Sequence, residues 1–219
     1  MSELLETIEI ETGPTPRAAI IWLHGLGADG HDFEPIVPEL SLPPATAVRF
    51  VFPHAPVQAV TINGGARMRA WYDIGHDGRQ DAEGIRASQS RVETLIARER
   101  GRGIVARNIV LAGFSQGGAI ALQTGLRHAE RLAGILALST YLPLDDTLEQ
   151  EASAAARNLP ILMAHGTQDP LIALARAAQS RDRLIALGYH VEWHEYRMPH
   201  SVCAEEIADI SRWLSGVLP

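Results

Sequence analysis

The stretch Gly113-Phe114-Ser115-Gln116-Gly117 decides both the fold and the chemistry of this chain. Residues 108–112 before it have the pattern of a short buried strand, and residues 118–123 after it have the pattern of the first turns of a helix. A serine in a sharp turn between strand and helix is held out of the chain path, and glycines on both sides leave room that a Cβ would fill. The stretch therefore predicts a strand, a nucleophile at the turn, and a helix, with Ser115 presented to substrate.

Length and composition predict one α/β domain over residues 1–219, because 46% hydrophobic residues suffice for a large core. There is no apolar run of about 18 residues, and the N-terminus Met1–Glu6 is acidic. We therefore expect no signal peptide, no stable membrane insertion and a cytoplasmic location, with which the single cysteine, Cys203, agrees. A formal net charge of −7 argues against nucleic acid as a partner.

All 19 basic residues are arginine, and the chain has no lysine. Schiff-base chemistry, a P-loop lysine and a Ser-Lys dyad all require lysine. These three mechanisms are therefore excluded, whatever the cause of the bias.

Apolar strands alternate with helices along the chain. Strands are predicted at 8–11, 18–23, 48–52, 109–112, 132–138, 161–164 and 191–195, and helices at 81–98, 116–128, 171–187 and 203–218. The stretch Gln58–Gly78 has little periodicity and is predicted to be a long loop. This alternation is typical of an α/β fold with a mainly parallel central sheet and helices on both faces.

Polar residues follow the predicted strands at the edge of the sheet where active sites form. Ser115, Asp169 and His200 stand there in the chain order nucleophile, acid and base, which is the α/β-hydrolase order. A serine hydroxyl needs a base during attack; a histidine can take the proton and return it, and a carboxylate fixes the histidine tautomer. We assign these catalytic roles to Ser115, His200 and Asp169.

Attack on an ester carbonyl places negative charge on its oxygen, and this charge requires preorganised donors. The backbone N–H of Gln116, at the start of the helix after Ser115, is one candidate donor. The glycine-rich loop His24-Gly25-Leu26-Gly27 follows an early strand, and the N–H of Leu26 is predicted to be the second donor.

Further motifs stand in a fixed order along the chain. They are His24-Gly25-Leu26-Gly27, Phe52-Pro53-His54-Ala55-Pro56, Arg69-Ala70-Trp71-Tyr72-Asp73, Gly113-Phe114-Ser115-Gln116-Gly117-Gly118, His165-Gly166 with Asp169, and His200-Ser201-Val202. In this order they resemble the small carboxylesterases, lysophospholipases and acyl-protein thioesterases of the α/β-hydrolase superfamily, in particular the bacterial carboxylesterase branch. The resemblance extends from about Arg17 to the C-terminus.

The resemblance implies a single-domain α/β-hydrolase without a separate lid domain, with Ser115, Asp169 and His200 as its triad and Leu26 and Gln116 at its oxyanion hole. It also implies hydrolysis of carboxylic esters or thioesters with short to medium, sometimes long, acyl chains. The chain departs from the family pattern at Pro199, where many relatives carry glycine. It departs again at Ser139-Thr140-Tyr141, where a small Ser-Gly pair is common.

Three apolar side chains near the predicted active edge are candidates for substrate binding: Leu26, Trp71 and Leu171. No cofactor is expected. No metal site is expected either, because no H-x-x-x-H helix face or C-x-x-C pair occurs, and His190 and His194 lie in a predicted strand. His24 and His165 each open a His-Gly turn, and we expect them to brace loops by hydrogen bonding.

The main hypothesis is a serine carboxylesterase that acts on short- to medium-chain acyl esters through an acyl-enzyme. The alternative is an acyl-protein thioesterase or lysophospholipase with the same triad, and a non-catalytic binding module is a third hypothesis. The expected partner is a small-molecule ester or thioester. A homodimer is left open, since Trp213-Leu214 on the closing helix fits either the core or a dimer contact.

Overall fold

The computed structural model describes residues 4–43, 46–76 and 78–219. Within these residues the strands are β1 (Thr7–Glu11), β2 (Ala18–Leu23), β3 (Val48–Pro53), β4 (Val57–Val60), β5 (Ala66–Arg69), β6 (Ile109–Phe114), β7 (Gly134–Leu138), β8 (Ile161–Gly166) and β9 (Val191–Tyr196). The α-helices are α1 (Ala82–Gly101), α2 (Gln116–Arg127), α3 (Asp145–Glu151), α4 (Leu174–Ala186) and α5 (Ala204–Val217).

Seven of the strands form one sheet in the order β1-β3-β2-β6-β7-β8-β9. All neighbours in this sheet are parallel except the edge pair β1 and β3, which is antiparallel. The central strands β2, β6 and β7 are buried almost throughout, which explains their continuous apolar sequences. The fold is the predicted α/β-hydrolase architecture.

Two apolar cores lie on opposite faces of the sheet. Alternate side chains of β2 enter them, with Ile21 and Leu23 in one core and Ile20 and Trp22 in the other. The first core also contains the apolar faces of α1 and α2, whereas the second contains the apolar face of α5. Trp213 and Leu214 belong to this second core, so of the two locations considered for them, the core and a dimer contact, the structure shows the core.

The predicted strands and the four predicted helices are confirmed, with shifts of a few residues at their ends. The prediction that Gln58–Gly78 lacks secondary structure is wrong in part, because β4 and β5 form an antiparallel hairpin there. The short helix α3 was also not predicted. The single domain over 1–219 stays a prediction, and the acidic start at Met1–Glu3 lies outside the described residues.

Candidate active site

Ser115 lies in the predicted turn between β6 and α2, with φ 54° and ψ −119°. A positive φ is strained for a residue with a Cβ, so the surrounding structure must hold it in place. The N–H of Ser115 donates to the carbonyl of Leu138 at 2.8 Å, and its carbonyl accepts the Thr140 hydroxyl at 2.6 Å. Ser115 itself is half-buried, whereas the chain on either side of the turn is mostly buried.

The glycines on both sides of Ser115 are required by backbone packing. A Cβ on Gly113 would collide with the backbone of Gly117, and one on Gly117 would collide with the carbonyls of Leu23 and His24. Gly117 therefore allows α2 to begin directly against the end of β2. This contact brings the loop after β2 beside Ser115.

Asp169 and His200 form a close pair. The Nδ1 of His200 lies 2.6 Å from Oδ2 of Asp169, and the other carboxylate oxygen accepts the N–H groups of Leu171 at 2.8 Å and Ile172 at 2.9 Å. Burial alone would raise the pKa of the Asp169 carboxyl. The hydrogen bonds from His200, Ile172 and Leu171 outweigh burial, so this pKa lies below its usual value and Asp169 is ionised at neutral pH.

The loops that carry Asp169 and His200 pack directly on each other. Gln168 donates its N–H to the carbonyl of Met198 at 3.1 Å, and a Cβ on Gly166 would collide with the carbonyls of Met198 and Pro199. Pro199, a departure from the family pattern, is accommodated in a turn closed by the N–H of Ser201 on the Pro199 carbonyl at 2.9 Å.

The His200 ring also lies beside the nucleophile turn. Its centroid is 4.7 Å from that of Phe114, the residue before Ser115. The structure thus brings Ser115, Asp169 and His200 to one edge of the sheet, as the strand-end argument predicts.

The glycine-rich loop after β2 approaches the same turn. A Cβ built on Gly25 would lie 3.5 Å from the Cβ of Ser115. The next residue, Leu26, is half-buried. Gly27 turns the chain with φ 79° and donates its N–H to the backbone carbonyl of Arg69 at 2.9 Å. Gln116 is the first residue of α2, so its N–H has no acceptor within the helix. Both predicted oxyanion donors therefore lie close to Ser115.

Trp71 is buried, with 1% of its surface exposed. Its indole N–H donates to the carbonyl of His24 at 2.9 Å, and its backbone N–H donates to Oε1 of Gln116 at 2.7 Å. The amide nitrogen of Gln116 donates in turn to the carbonyl of Tyr72 at 2.7 Å. Trp71 thus braces the loop after β2, and its role in binding substrate stays a prediction.

The side chain of Gln116 is a functional group that sequence reasoning missed. The motif predicts only the backbone N–H of this residue, whereas the amide clamps the segment after the hairpin to the start of α2. The available signal was a polar side chain directly after Ser115, in a stretch whose other residues are small or apolar.

Leu171 is 74% exposed, and its N–H is bound to the Asp169 carboxylate. A large aliphatic side chain thus faces solvent next to Asp169. Ile62, in the tip of the β4–β5 hairpin, is also exposed, at 47%. Leu171 and Leu26 remain predicted substrate contacts.

The departure at Thr140-Tyr141 fills space beside the nucleophile turn. The Thr140 methyl would lie 2.8 Å from a Cβ on Gly118, and Tyr141 shares a 2.7 Å hydrogen bond between hydroxyls with Tyr72. The guanidinium of Arg176 lies over the Tyr141 ring, 3.4 Å from its centroid. Where the family resemblance predicts a small residue, this chain therefore has a packed wall.

Within residues 4–43, 46–76 and 78–219, no group of three or more His, Cys, Asp or Glu residues is arranged to hold a metal ion. His194 instead contacts carboxylates through both ring nitrogens, with Glu192 at 2.8 Å and Asp209 at 3.4 Å. The expected absence of metal and cofactor stays a prediction. None of the helices in the described part of the chain has the length and apolarity needed to cross a membrane.

The sequence pattern of the family described as phospholipase/carboxylesterase matches residues 6–218. The chain is 40% identical to acyl-protein thioesterase 1 of Yarrowia lipolytica over 94% of this chain and 95% of that protein. It is 38% identical to acyl-protein thioesterase 1 of Mycosarcoma maydis over 99% and 98%. The crystal structure of Zea mays acyl-protein thioesterase 2 superimposes with a TM-score of 0.86 at 30% identity, over 98% of this chain and 99% of that one.

Proposed function

The chain belongs to the phospholipase/carboxylesterase family and is a serine-type ester hydrolase, and we propose that Ser115, Asp169 and His200 are its catalytic triad. The observation that carries this proposal is the 2.6 Å hydrogen bond between the His200 ring and the ionised Asp169 carboxylate. The same ring packs against Phe114, the residue before Ser115. A bare Nε2 on that ring is the base that Ser115 requires.

In the proposed reaction, His200 takes the Ser115 proton on Nε2 while Oγ attacks the acyl carbon. Asp169 stabilises the imidazolium through Nδ1, and the N–H groups of Leu26 and Gln116 donate to the carbonyl oxygen as it becomes negative. The His200 proton then passes to the departing alcohol or thiol, which leaves an acyl group on Ser115. Water repeats the sequence, so the acid is released and the serine is restored.

We propose acyl thioesters of protein cysteines as the preferred substrates. Relatives named acyl-protein thioesterase 1 match nearly the full length of the chain at 38–40% identity, which favours this alternative over a carboxylesterase of short- to medium-chain esters. An exposed Leu171 beside the acid suits an aliphatic acyl chain. Carboxylesterase activity on small esters is the second candidate, because the family description includes it.

A cytoplasmic location and a homodimer are further proposals. The proposed location agrees with an acidic chain that has a single cysteine. Sedimentation equilibrium of the purified protein measures the oligomeric state directly.

The test is a series of matched substrates: peptides with S-acyl cysteine or O-acyl serine, and acyl chains from C2 to C16. We expect Ser115→Ala to lose at least about 10⁴-fold in kcat on every substrate, because no other group becomes the nucleophile. Ser215→Ala, an exposed serine on α5, is the matched control and should keep wild-type rates.

With wild-type enzyme, we expect kcat/KM for the C16 thioester to exceed that for the C16 oxygen ester by at least about tenfold, since a thiolate leaves more readily than an alkoxide. Residual hydrolysis by Ser115→Ala above about one-hundredth of wild type would refute the triad. A maximum at C4 oxygen esters would refute the thioesterase substrate and support the carboxylesterase.

A further inference from the structure

His24 lies directly after β2 and is 1% exposed. Its Nε2 accepts the backbone N–H of Ala55 at 3.0 Å, and its Nδ1 lies 2.7 Å from the carbonyl oxygen of Gly25. A backbone N–H can only donate and a carbonyl can only accept. The ring therefore carries its proton on Nδ1, with Nε2 bare.

The surroundings keep this ring neutral. Burial lowers the pKa of His24 to about 4; the Gly25 carbonyl and the Asp29 carboxylate oppose the shift, whereas His54 and Arg69 add to it. At neutral pH the imidazole is thus a fixed donor at one nitrogen and a fixed acceptor at the other. It does not take part in proton transfer.

The Nδ1 bond fixes the peptide that carries a proposed oxyanion donor. In a trans peptide the C=O of Gly25 and the N–H of Leu26 lie in one plane and point in opposite directions. The Gly25 carbonyl is held by His24, and also by the N–H of Ala28 at 3.3 Å. The Leu26 N–H must therefore point away from the His24 ring, from a loop whose Gly25 touches the Ser115 turn.

We propose that His24 is a positioning residue that sets the direction of the Leu26 N–H by donating from Nδ1 to the Gly25 carbonyl. This inference rests on the proposed function, in which that N–H binds the oxyanion. In the proposed mechanism His24 exchanges no proton with the substrate, so it acts on the reaction through the orientation of the Gly25–Leu26 peptide.

The two ring nitrogens allow the positioning role to be separated from general packing. The side-chain nitrogen of asparagine occupies the place of Nδ1, so His24→Asn retains a donor to Gly25 and loses the acceptor for Ala55. The side-chain oxygen of glutamine reaches the place of Nε2, so His24→Gln retains the acceptor for Ala55 and loses the donor to Gly25. Each variant breaks one buried hydrogen bond, and we expect similar losses of stability.

We expect His24→Asn to keep kcat within about tenfold of wild type and His24→Gln to lose about 10²-fold, because one oxyanion donor is misdirected. KM should change little in either. Affinity for an aryl trifluoromethyl ketone, whose hemiketal oxygen occupies the oxyanion position, should fall in parallel with kcat. His190→Gln, at an exposed histidine far along the chain, is the control and should behave as wild type.

Equal losses of kcat in the two variants, or a larger loss in His24→Asn, would overturn the proposal. If thermal unfolding shows that neither variant folds, ¹⁵N NMR of the wild-type protein replaces the kinetic test by measuring which nitrogen of the His24 ring is protonated. Protonation on Nδ1 alone down to about pH 5 supports the proposal, and an Nε2–H tautomer or an ordinary histidine titration overturns it. Hydrolysis that survives Ser115→Ala would refute the proposed function instead. If Ser115→Ala is inactive and the two His24 variants lose kcat equally, only the positioning role of His24 is refuted.

Discussion

Two carboxyl groups in this protein have no solvent-exposed side-chain surface, and their pKa values shift in opposite directions. The side chains of Asp169 and Glu206 are both 0% exposed. Asp169 accepts hydrogen bonds from His200 and from two backbone N–H groups, and its pKa lies below the usual value. Among the residues that the structure describes, no group donates a hydrogen bond of ordinary geometry to either oxygen of Glu206.

Burial raises the pKa of Glu206 to about 8; the backbone of Cys203 lowers it only in part, and the Asp209 carboxylate raises it further. Glu206 is therefore mostly protonated at neutral pH, whereas Asp169 is ionised. The difference teaches that hydrogen-bond donors can outweigh burial, as at Asp169, whereas burial dominates where such donors are lacking, as at Glu206. The proposed mechanism requires an ionised Asp169, because only a carboxylate stabilises the imidazolium of His200.

The largest effect is expected when Asp169 loses its charge and keeps its shape. Asp169→Asn should lower kcat about 10⁴-fold, because the amide can donate to Nδ1 of His200 and leave the proton on Nε2, where the base must be bare. Steady-state kinetics on the best thioester of the series measures this loss. Asp182→Asn, at an exposed acid on α4, is the matched control.

The stability of this variant tests the same carboxylate. Because the folded-state pKa of Asp169 is lowered, its ionised form stabilises the fold above the ordinary carboxyl pKa of about 4, and this contribution is lost as the pH falls through the folded-state value. The stability gap between wild type and Asp169→Asn should therefore narrow in acid. A kcat within tenfold of wild type would contradict the role of Asp169.

A smaller effect, on stability rather than rate, is expected at Glu206. Its folded-state pKa of about 8 lies above the unfolded value, so the folded protein binds one more proton between these pH values. The free energy of unfolding of the wild type should therefore fall by about 2 kcal/mol between pH 6 and pH 8 from this group. Glu206→Gln, which cannot titrate, should lack this slope in urea unfolding.

Wild type and variant are compared at each pH, so that the contributions of all other titrating groups to the free energy of unfolding cancel. His24 is one such group. Because its folded-state pKa is lowered, its stabilising contribution is lost as the pH falls from about 6.5 toward 4, a pH dependence opposite in sign to that of Glu206. Glu205→Gln, at the exposed neighbour of Glu206, should keep the wild-type slope. Identical slopes in wild type and Glu206→Gln would show that Glu206 is ionised in the folded state.

The sheet, the turn that carries Ser115 and the candidate triad could all be predicted from the sequence, because each rests on local patterns of residues. Strand periodicity locates the carboxyl ends, and parallel strands bring Ser115, Asp169 and His200 to one edge. The hairpin β4–β5 escaped prediction because its strands have only four residues each and, of these residues, only Val60 is buried, so the apolar–polar alternation of Ala66–Arg69 is too short to mark a strand. The clamp between Gln116 and Trp71 joins residues 45 positions apart, and no periodic signal marks such a bond.

Glu206 was a missed signal of a different kind. It stands four and seven residues before Ile210 and Trp213, so a helical repeat places it on the apolar face of α5. A lone acid on an apolar helix face is a candidate for a raised pKa, and the pattern was available in the sequence. The sequence pattern does not show which residues surround Glu206, and these residues decide how far its pKa is raised.

The central claim is that Ser115 becomes acylated during turnover. Wild-type enzyme mixed with a C16 thioester peptide and quenched in acid within one turnover should gain the mass of one hexadecanoyl group. Peptide mapping should locate this group on the fragment that contains Ser115, and Ser115→Ala should gain none. Turnover without an adduct on Ser115, or an adduct on another residue, would contradict the account.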